Sequence, residues 1–175
     1  MNRVLIVIDM QNDFISGSLA AENANSIVKD VIDYINVFNG KIFYTLDTHY
    51  DDYLDTLEGK KLPIIHCIKD TYGWEIPKDL YKTLINKNAI AVIKSSFGSS
   101  LLAEQLYNQN KSNTIDEIVL LGICTDICVV SNALLIKSFL PDVKLVVESN
   151  LCAGVTNERH LLALQVMEYC HIDIN

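Results

Sequence analysis

Residues 116–132 read DEIVLLGICTDICVVSN, an apolar run followed by a glycine and by two cysteines four positions apart. The run Ile118–Leu121 contains no polar residue, which is typical of a strand buried on both faces of a parallel sheet. Residues 125–139 then predict a helix, with the cysteines close to the junction. A strand, a loop and a helix in this order form the repeating unit of an α/β fold.

The alternation of strand and helix continues on both sides of this stretch. Apolar runs predict further strands at Val4–Ile8, Ile42–Leu46, Ala89–Ile93, Val143–Val147 and residues 172–174. Helices are predicted at residues 25–38, 99–108 and 157–170. We therefore expect an α/β fold with a three-layer αβα arrangement, in which a mostly parallel, Rossmann-like sheet of five or six strands lies between two layers of helices. No linker-like stretch divides the chain, so residues 1–175 are expected to form a single domain.

The composition excludes several classes of protein. The N-terminal apolar run ends in Asp9 without the cleavage site of a signal peptide, and no apolar run approaches the roughly 18 residues that span a bilayer. We therefore expect a cytoplasmic protein without membrane contact. The net charge is −8 and the basic residues are scattered, which argues against nucleic-acid binding. An odd number of cysteines, five, argues against a disulfide framework.

Chemically useful side chains fall at the predicted strand ends, where open parallel sheets bind ligands. Asp9, Asp47 and Lys94 each end a strand, and Cys128 lies near the start of a helix. A helix N-terminus stabilises a thiolate and its N–H groups can hold an oxyanion. Asp9, Lys94 and Cys128 therefore suit an acid/base, a stabilising cation and a nucleophile. The alternatives are a buried ion pair and a cysteine that only packs in the core.

The long polar connection over residues 47–88 contains a second group of candidates. Asp47 and His49 project to the same side of an extended chain, with Glu58 and His66 downstream. Such oxygen and nitrogen ligands suit zinc, iron or manganese. The alternative is a solvated acidic loop.

Two aromatic residues complete the candidates. Phe14 and Trp74 lie in predicted loops beside glycines, which suits the walls of a small flat pocket, and core packing is the alternative. His160 falls on the last predicted helix, where a structural role is expected.

Three ordered motifs resemble those of the isochorismatase-like superfamily of cysteine hydrolases, and in particular its nicotinamidase members. They are Asp9–Phe14 with Gly17–Leu19, then Lys94–Phe97, and then Gly122–Cys128. The resemblance covers essentially the whole chain. Each motif lies at a predicted strand end, which makes the combination specific.

The resemblance implies roles for the catalytic residues. Cys128 would be the nucleophile, Asp9 the acid/base and Lys94 the stabilising cation. A cis peptide would join Ile123 to Cys124, and the N–H groups of Cys124 and Cys128 would hold the substrate oxyanion. Cys124 would therefore contribute its backbone and only Cys128 its sulfur.

The resemblance also implies a metal site that is characteristic of nicotinamidases. Asp47, His49 and His66 match three of their ligands, and Glu58 matches the acidic fourth ligand of some members, with Asp55 as the fallback. The expected cofactor is a divalent metal, zinc first, with iron or manganese as alternatives.

The expected reaction is hydrolysis of a small carboxamide through a cysteine thioester, with nicotinamide giving nicotinate and ammonia. The resemblance places Phe14, Leu19, Trp74 and Ile123 around the substrate, and it implies a homo-oligomer. One alternative is a related hydrolase that cleaves a ureido, carbamoyl or different amide bond. A more distant alternative is a thiol-redox or partner-binding domain without catalysis.

Overall fold

The computed structural model describes residues 1–175 and contains one six-stranded sheet in which every neighbouring pair is parallel. The strands are β1 (Arg3–Ile8), β2 (Lys41–Asp47), β3 (Ile90–Lys94), β4 (Glu117–Ile123), β5 (Lys144–Ala153) and β6 (Asp173–Ile174). Their order across the sheet is β3-β2-β1-β4-β5-β6. The predicted α/β class and Rossmann-like sheet are confirmed, with six strands that are all parallel.

Seven α-helices connect and flank the strands. They are α1 (Asn12–Ile15), α2 (Ala24–Val37), α3 (Leu57–Lys61), α4 (Lys78–Asn86), α5 (Ser100–Ser112), α6 (Val130–Phe139) and α7 (Asn157–Tyr169). Helices α2 and α4 pack against each other, whereas α6 packs against both α5 and α7. Because parallel crossovers are right-handed, these two groups cover opposite faces of the sheet, as the predicted three layers require.

The centre of the sheet is the most buried part of the molecule. Val4–Ile8 of β1 and Ile118–Leu121 of β4 are at most 1% exposed. These strands have helices on both faces, so their side chains are apolar in succession and do not alternate with polar ones.

The chain reverses its direction across the sheet between β1 and β4, and such a switch point opens a crevice at the carboxyl ends of the two strands. Gly122 lies in this region with a φ of 125°. A Cβ there would come within 2.1 Å of the Ile8 carbonyl oxygen, so only glycine allows β4 this close to β1. The residues that follow β1 and β4 are thereby brought to the same crevice.

Three elements differ from the sequence prediction. The expected helix over residues 125–139 begins as a π-helical turn, Thr125–Val129, and becomes α-helical only from Val130. Strand β5 extends to Ala153, beyond the predicted end at Val147. The long connection after β2 also contains a 3₁₀ turn, Tyr53–Asp55, in addition to α3 and α4. None of the helices has the length and apolar character that crossing a bilayer requires.

Candidate active site

Side chains from three parts of the chain meet at the carboxyl edge of the sheet. Lys94 Nζ lies 2.7 Å from Asp9 Oδ2 and 3.6 Å from Cys128 Sγ. All three residues are at most 5% exposed. The structure thus brings together the residues that the sequence analysis assigned as acid/base, cation and nucleophile.

The Asp9 carboxyl group is held from two sides. Thr45 Oγ1 donates to Asp9 Oδ1 at 2.6 Å and accepts from the Asp9 N–H at 3.1 Å, while Lys94 faces the other oxygen. Burial raises the pKa of Asp9, and the charge of Lys94 only partly opposes this effect. A carboxylate with a raised pKa is a stronger base than an exposed one, so Asp9 is suited to accept a proton from a neighbouring thiol.

The surroundings of the Cys128 sulfur favour its neutral thiol form. Burial raises the pKa of Cys128 well above its usual value, and the adjacent Asp9 carboxylate raises it further, whereas Lys94 lowers it. Burial and the neighbouring negative charge therefore oppose the stabilisation of the thiolate that was expected from the helix N-terminus. The thiol needs a base to become a nucleophile.

Asp47 links this catalytic set to a second cluster. Its Oδ1 lies 3.1 Å from Lys94 Nζ, and its Oδ2 lies 3.2 Å from His49 Nε2 and 3.8 Å from His66 Nε2. Burial alone would raise the pKa of Asp47, but the nearby His49 imidazole and the charge of Lys94 bring it below its usual value. Asp47 is therefore a charged carboxylate shared by both clusters.

The second cluster has the ligand types and the unshared nitrogen lone pairs of a metal site. The ligand atoms of Asp47, His49 and His66 lie within 4.8 Å of one another. His49 Nε2 is buried without a hydrogen-bond partner. His66 Nδ1 lies 2.8 Å from the Ile64 carbonyl oxygen, which can only accept, so Nδ1 carries the proton and Nε2 keeps its lone pair. One carboxylate and two imidazoles fit a divalent metal ion.

Glu58 reaches the same cluster from α3. Its Oε1 lies 3.7 Å from His49 Nε2 and 3.9 Å from His66 Nε2. Tetrahedral zinc with bonds of about 2.0–2.1 Å separates its ligands by roughly 3.4 Å, which is close to these values. Asp55, the fallback ligand, is an exposed residue of the 3₁₀ turn.

Gln11 holds the backbone that carries Asp47. Its Nε2 donates to the carbonyl oxygens of Asp47 and Trp74, both at 2.9 Å, and its Oε1 accepts from the Asp47 N–H at 2.8 Å. The residue is 0% exposed. Gln11 thus connects the end of β2 to the segment around Trp74 without contributing a ligand of its own.

Asp13 plays a similar part for His66. Its Oδ2 accepts from the backbone N–H of Cys67, the residue after His66, at 2.8 Å. The motif that begins at Asp9 therefore supplies a candidate base and also fixes the backbone beside two candidate metal ligands.

Three of the predicted substrate-contacting residues are buried or partly buried, and Phe14 lies beside the metal-ligand cluster. Phe14 is 6% exposed, and its ring centroid is 5.7 Å from that of His66. Leu19 is partly buried against the core, and Ile123 is fully buried at the end of β4. Their contact with a substrate stays a prediction.

Trp74 is placed differently. Its indole Nε1 donates to Thr48 Oγ1 at 2.8 Å, and the side chain lines a cavity of about 790 Å³ together with Tyr44 and Ile93. Neither Phe14 nor any of the three catalytic candidates lines this cavity. A substrate pocket with Trp74 and Phe14 as two of its walls stays a prediction.

The turn that carries the nucleophile is ordered by its own backbone and by α6. The peptide between Ile123 and Cys124 is cis, as the resemblance implied. The Cys124 carbonyl oxygen accepts from Val129 N–H at 3.0 Å, and Asn132 Nδ2 donates to the Cys128 carbonyl oxygen at 2.8 Å. Cys124 is a free, buried cysteine, as are three of the other four.

Comparison with known proteins agrees with this geometry. The family model described as the Isochorismatase domain matches residues 3–174. The chain belongs to the isochorismatase family. The match includes all six strands and every candidate residue named above, so the isochorismatase-like resemblance seen in the three motifs is confirmed.

Individual relatives cover the same length. The nicotinamidase/pyrazinamidase of Mycobacterium tuberculosis is 28% identical over 184 residues, which cover 98% of this chain and 97% of the relative. The crystal structure of nicotinamidase PncA from Bacillus subtilis superposes with a TM-score of 0.83 at 25% identity and 99% coverage of both chains. The pyrazinamidase of Pyrococcus horikoshii in complex with zinc superposes with a TM-score of 0.80 at 24% identity, covering 100% of this chain and 99% of that one.

The sequence analysis gave no role at this isochorismatase-family site to four buried or half-buried polar residues: Gln11, Thr45, Asn132 and His160. The signal for Thr45 was present, because a hydroxyl inside the apolar strand β2 needs a buried partner. Gln11 directly follows the buried strand that ends in Asp9, which is a similar signal. Asn132 and His160 lie on helices whose sequence pattern does not reveal which side chain faces the site.

Proposed function

We propose that this protein hydrolyses nicotinamide to nicotinate and ammonia through a thioester on Cys128. The observation that carries the proposal is the contact of Lys94 with both Asp9 and Cys128, beside a carboxylate–imidazole cluster that suits a metal. The nicotinamidase and pyrazinamidase names of the relatives support a pyridine or pyrazine carboxamide as the substrate. The isochorismatase family supports a cysteine-dependent hydrolase.

The first half of the reaction forms the thioester. Asp9 accepts the proton of the Cys128 thiol, and the sulfur forms a bond to the amide carbon while the carbonyl electron pair moves onto oxygen. Lys94 lies within 3.6 Å of both partners in this transfer, so the negative charge that leaves Asp9 for the sulfur stays next to the same cation. When the C–N bond breaks, Asp9 returns the proton to the departing nitrogen, and ammonia leaves.

The second half releases the acid. Asp9 accepts a proton from water, the hydroxide oxygen bonds to the thioester carbon, and the C–S bond breaks. The sulfur then regains its proton from Asp9. In both halves the backbone N–H groups of Cys124 and Cys128 hold the oxyanion, and loss of one such donor typically costs 10²–10³ in kcat.

Asp47, His49, His66 and Glu58 are proposed to hold a divalent metal, with zinc as our first choice. When bound, the metal would supply a Lewis acid for the ring nitrogen of the substrate. The protein's own part is to fix the four ligands and to place the aromatic ring of the substrate against Phe14, which contacts His66. Such orientation of the carboxamide toward Cys128 lowers the entropic part of the barrier.

The test is ammonia release from nicotinamide, pyrazinamide and benzamide by zinc-loaded protein. Nicotinamide and pyrazinamide should be hydrolysed, whereas benzamide lacks the ring nitrogen and should be turned over poorly. Cys128→Ala should release no ammonia and keep its circular-dichroism spectrum. Cys170→Ala, which removes a thiol outside the site, is the matched control and should be as active as the unmodified protein.

Removal of the metal by prolonged chelation should raise the KM for nicotinamide without a comparable effect on benzamide. Retention of turnover by Cys128→Ala would refute the assignment of the nucleophile. Absence of turnover on all three amides would refute the proposed substrate class.

A further inference from the structure

The segment that leads into helix α7 and the first turn of that helix contact the two residues that follow Cys124. His160 Nδ1 lies 2.8 Å from Thr125 Oγ1. Asp126 Oδ1 accepts from the Val155 N–H at 2.9 Å, and Asp126 Oδ2 lies 2.7 Å from Arg159 Nε. None of these groups touches the sulfur, the acid or the metal-ligand cluster, so the mechanism above does not use them.

These contacts satisfy groups that are removed from solvent. Thr125 is 0% exposed, and the side chain of Asp126 is 6% exposed. Asp126 Oδ2 makes no hydrogen bond, so the ion pair with Arg159 compensates its buried charge. Loss of either α7 side chain would leave a buried polar group without its partner, and the backbone of the turn would have to shift to find another.

The close approach of α7 requires the glycine before it. A Cβ at Gly154 would lie 2.9 Å from the His160 backbone nitrogen and 3.0 Å from Asp126 Oδ1. A larger residue at this position would therefore separate the helix from the turn.

The position of these contacts in the turn gives them a consequence for chemistry. The far end of the turn is tied to α6, since Asn132 holds the Cys128 carbonyl group. At the near end, the side chains that follow Cys124 are anchored to α7. The orientation of the Cys124 peptide, whose N–H is one of the two proposed oxyanion donors, is therefore set from this side.

We infer that His160 and Arg159 are positioning residues that hold the Cys124–Cys128 turn in the geometry in which its two N–H groups converge on the substrate oxygen. The inference rests on the proposed function, because only a reaction with an oxyanion uses that geometry. A residue that merely stabilised the fold would lower the melting temperature and leave the ratio of kcat to KM unchanged in enzyme that is still folded.

The first test needs no substrate. Amide hydrogen exchange is compared for the unmodified protein, His160→Leu and His160→Asn, since the asparagine amide can replace Nδ1 toward Thr125. We expect peptides covering residues 122–130 to exchange at least tenfold faster in His160→Leu, with His160→Asn within about threefold of the unmodified protein. Peptides from β1 report global opening and should not change. Equal exchange of the turn in all three proteins, or equal acceleration in β1, would overturn the inference.

The second test is kinetic. In His160→Leu the kcat for the amide should fall at least tenfold while the KM stays within twofold, and His160→Asn should recover most of the loss. The double variant His160→Leu/Thr125→Val should lose little more kcat than His160→Leu alone, because both substitutions remove the same hydrogen bond. Glu158→Gln, an exposed position on the same helix, is the matched control. A raised KM with unchanged kcat would overturn the inference.

The two proposals fail separately. If the unmodified protein hydrolyses none of the amides, the proposed substrate class is wrong, and the exchange experiment still decides whether α7 orders the turn. If amide hydrolysis is present but insensitive to His160, the substrate class stands and the positioning role is refuted.

Discussion

Replacement of Gln11 by methionine tests whether the hydrogen bonds beneath Asp47 matter more than the packing there. Methionine has a similar length and volume but no polar atoms, so it fills the space and removes all three hydrogen bonds of Gln11. The N–H and C=O groups of Asp47 and the C=O group of Trp74 then lose their partner. Gln11 is 0% exposed, so water does not readily replace it.

The expected cost follows from these three groups. A buried polar group without a partner costs about 1–3 kcal/mol, and partial relaxation of the loops recovers some of this cost. We expect Gln11→Met to lower the free energy of unfolding by about 3–5 kcal/mol. For a chain of this size, roughly 2–4 °C of melting temperature corresponds to 1 kcal/mol, so the melting temperature should fall by about 6–20 °C.

The assay is equilibrium unfolding in urea on metal-free protein, because a bound metal would add its own stabilisation. Gln11→Glu is informative, since it keeps an acceptor for the Asp47 N–H but turns a carboxylate toward two carbonyl oxygens, and it should cost as much as the methionine variant. Gln105→Met on the exposed face of α5 is the matched control, with an expected change within about 0.5 kcal/mol. A loss of less than 1 kcal/mol in Gln11→Met would refute the reasoning.

Three further outcomes are expected. Lys94→Met should end ammonia release and lower the free energy of unfolding by about 3–5 kcal/mol at pH 7, because two buried carboxylates lose their shared cation; part of the loss should be recovered as pH falls and they protonate. Iodoacetamide should label Cys128 slowly at pH 7 and faster at higher pH, since its pKa is raised, and mass spectrometry should find the less buried Cys170 modified first. The pKa of Glu117 is lowered, because the basic neighbours Lys144 and Arg3 outweigh the effect of burial. The charged Glu117 therefore stabilises the fold above the pKa that it has in the unfolded chain, and this stabilisation is lost as pH falls through the pKa of the folded state. Urea unfolding should therefore show Glu117→Gln less stable than the unmodified protein at pH 7, with the difference narrowing in acid; a constant difference would contradict this.

Residues at strand ends were predictable from the sequence because two rules combine. A continuous apolar run identifies a strand, and the carboxyl ends of parallel strands share one edge, so Asp9, Asp47 and Lys94 had to lie near one another. The cysteine followed from its place after the central run of β4. The prediction needed no knowledge of side-chain direction beyond the strand itself.

Contacts that depend on side-chain direction in loops and helices could not be predicted in this way. A π-helical turn and an α-helix have the same local sequence pattern, so the register of Cys128 was not visible. The glycine beside Trp74 did not reveal that the indole N–H donates to Thr48. The raised pKa of Cys128 depends on the depth of burial and on the nearby Asp9, and these are properties of the assembled crevice.

The shared carboxylate of Asp47 has a thermodynamic consequence. Its two oxygens face a lysine on one side and two imidazoles on the other, so the lysine and any dication held by the imidazoles interact with the same anion. Thermodynamic linkage is reciprocal. If the bound ion changes the free energy of modifying the Cys128 sulfur, then modification of the sulfur must change the free energy of binding the ion by the same amount. Alkylation of Cys128 should therefore change the dissociation constant of the metal ion at the Asp47, His49 and His66 cluster, which the sulfur does not touch.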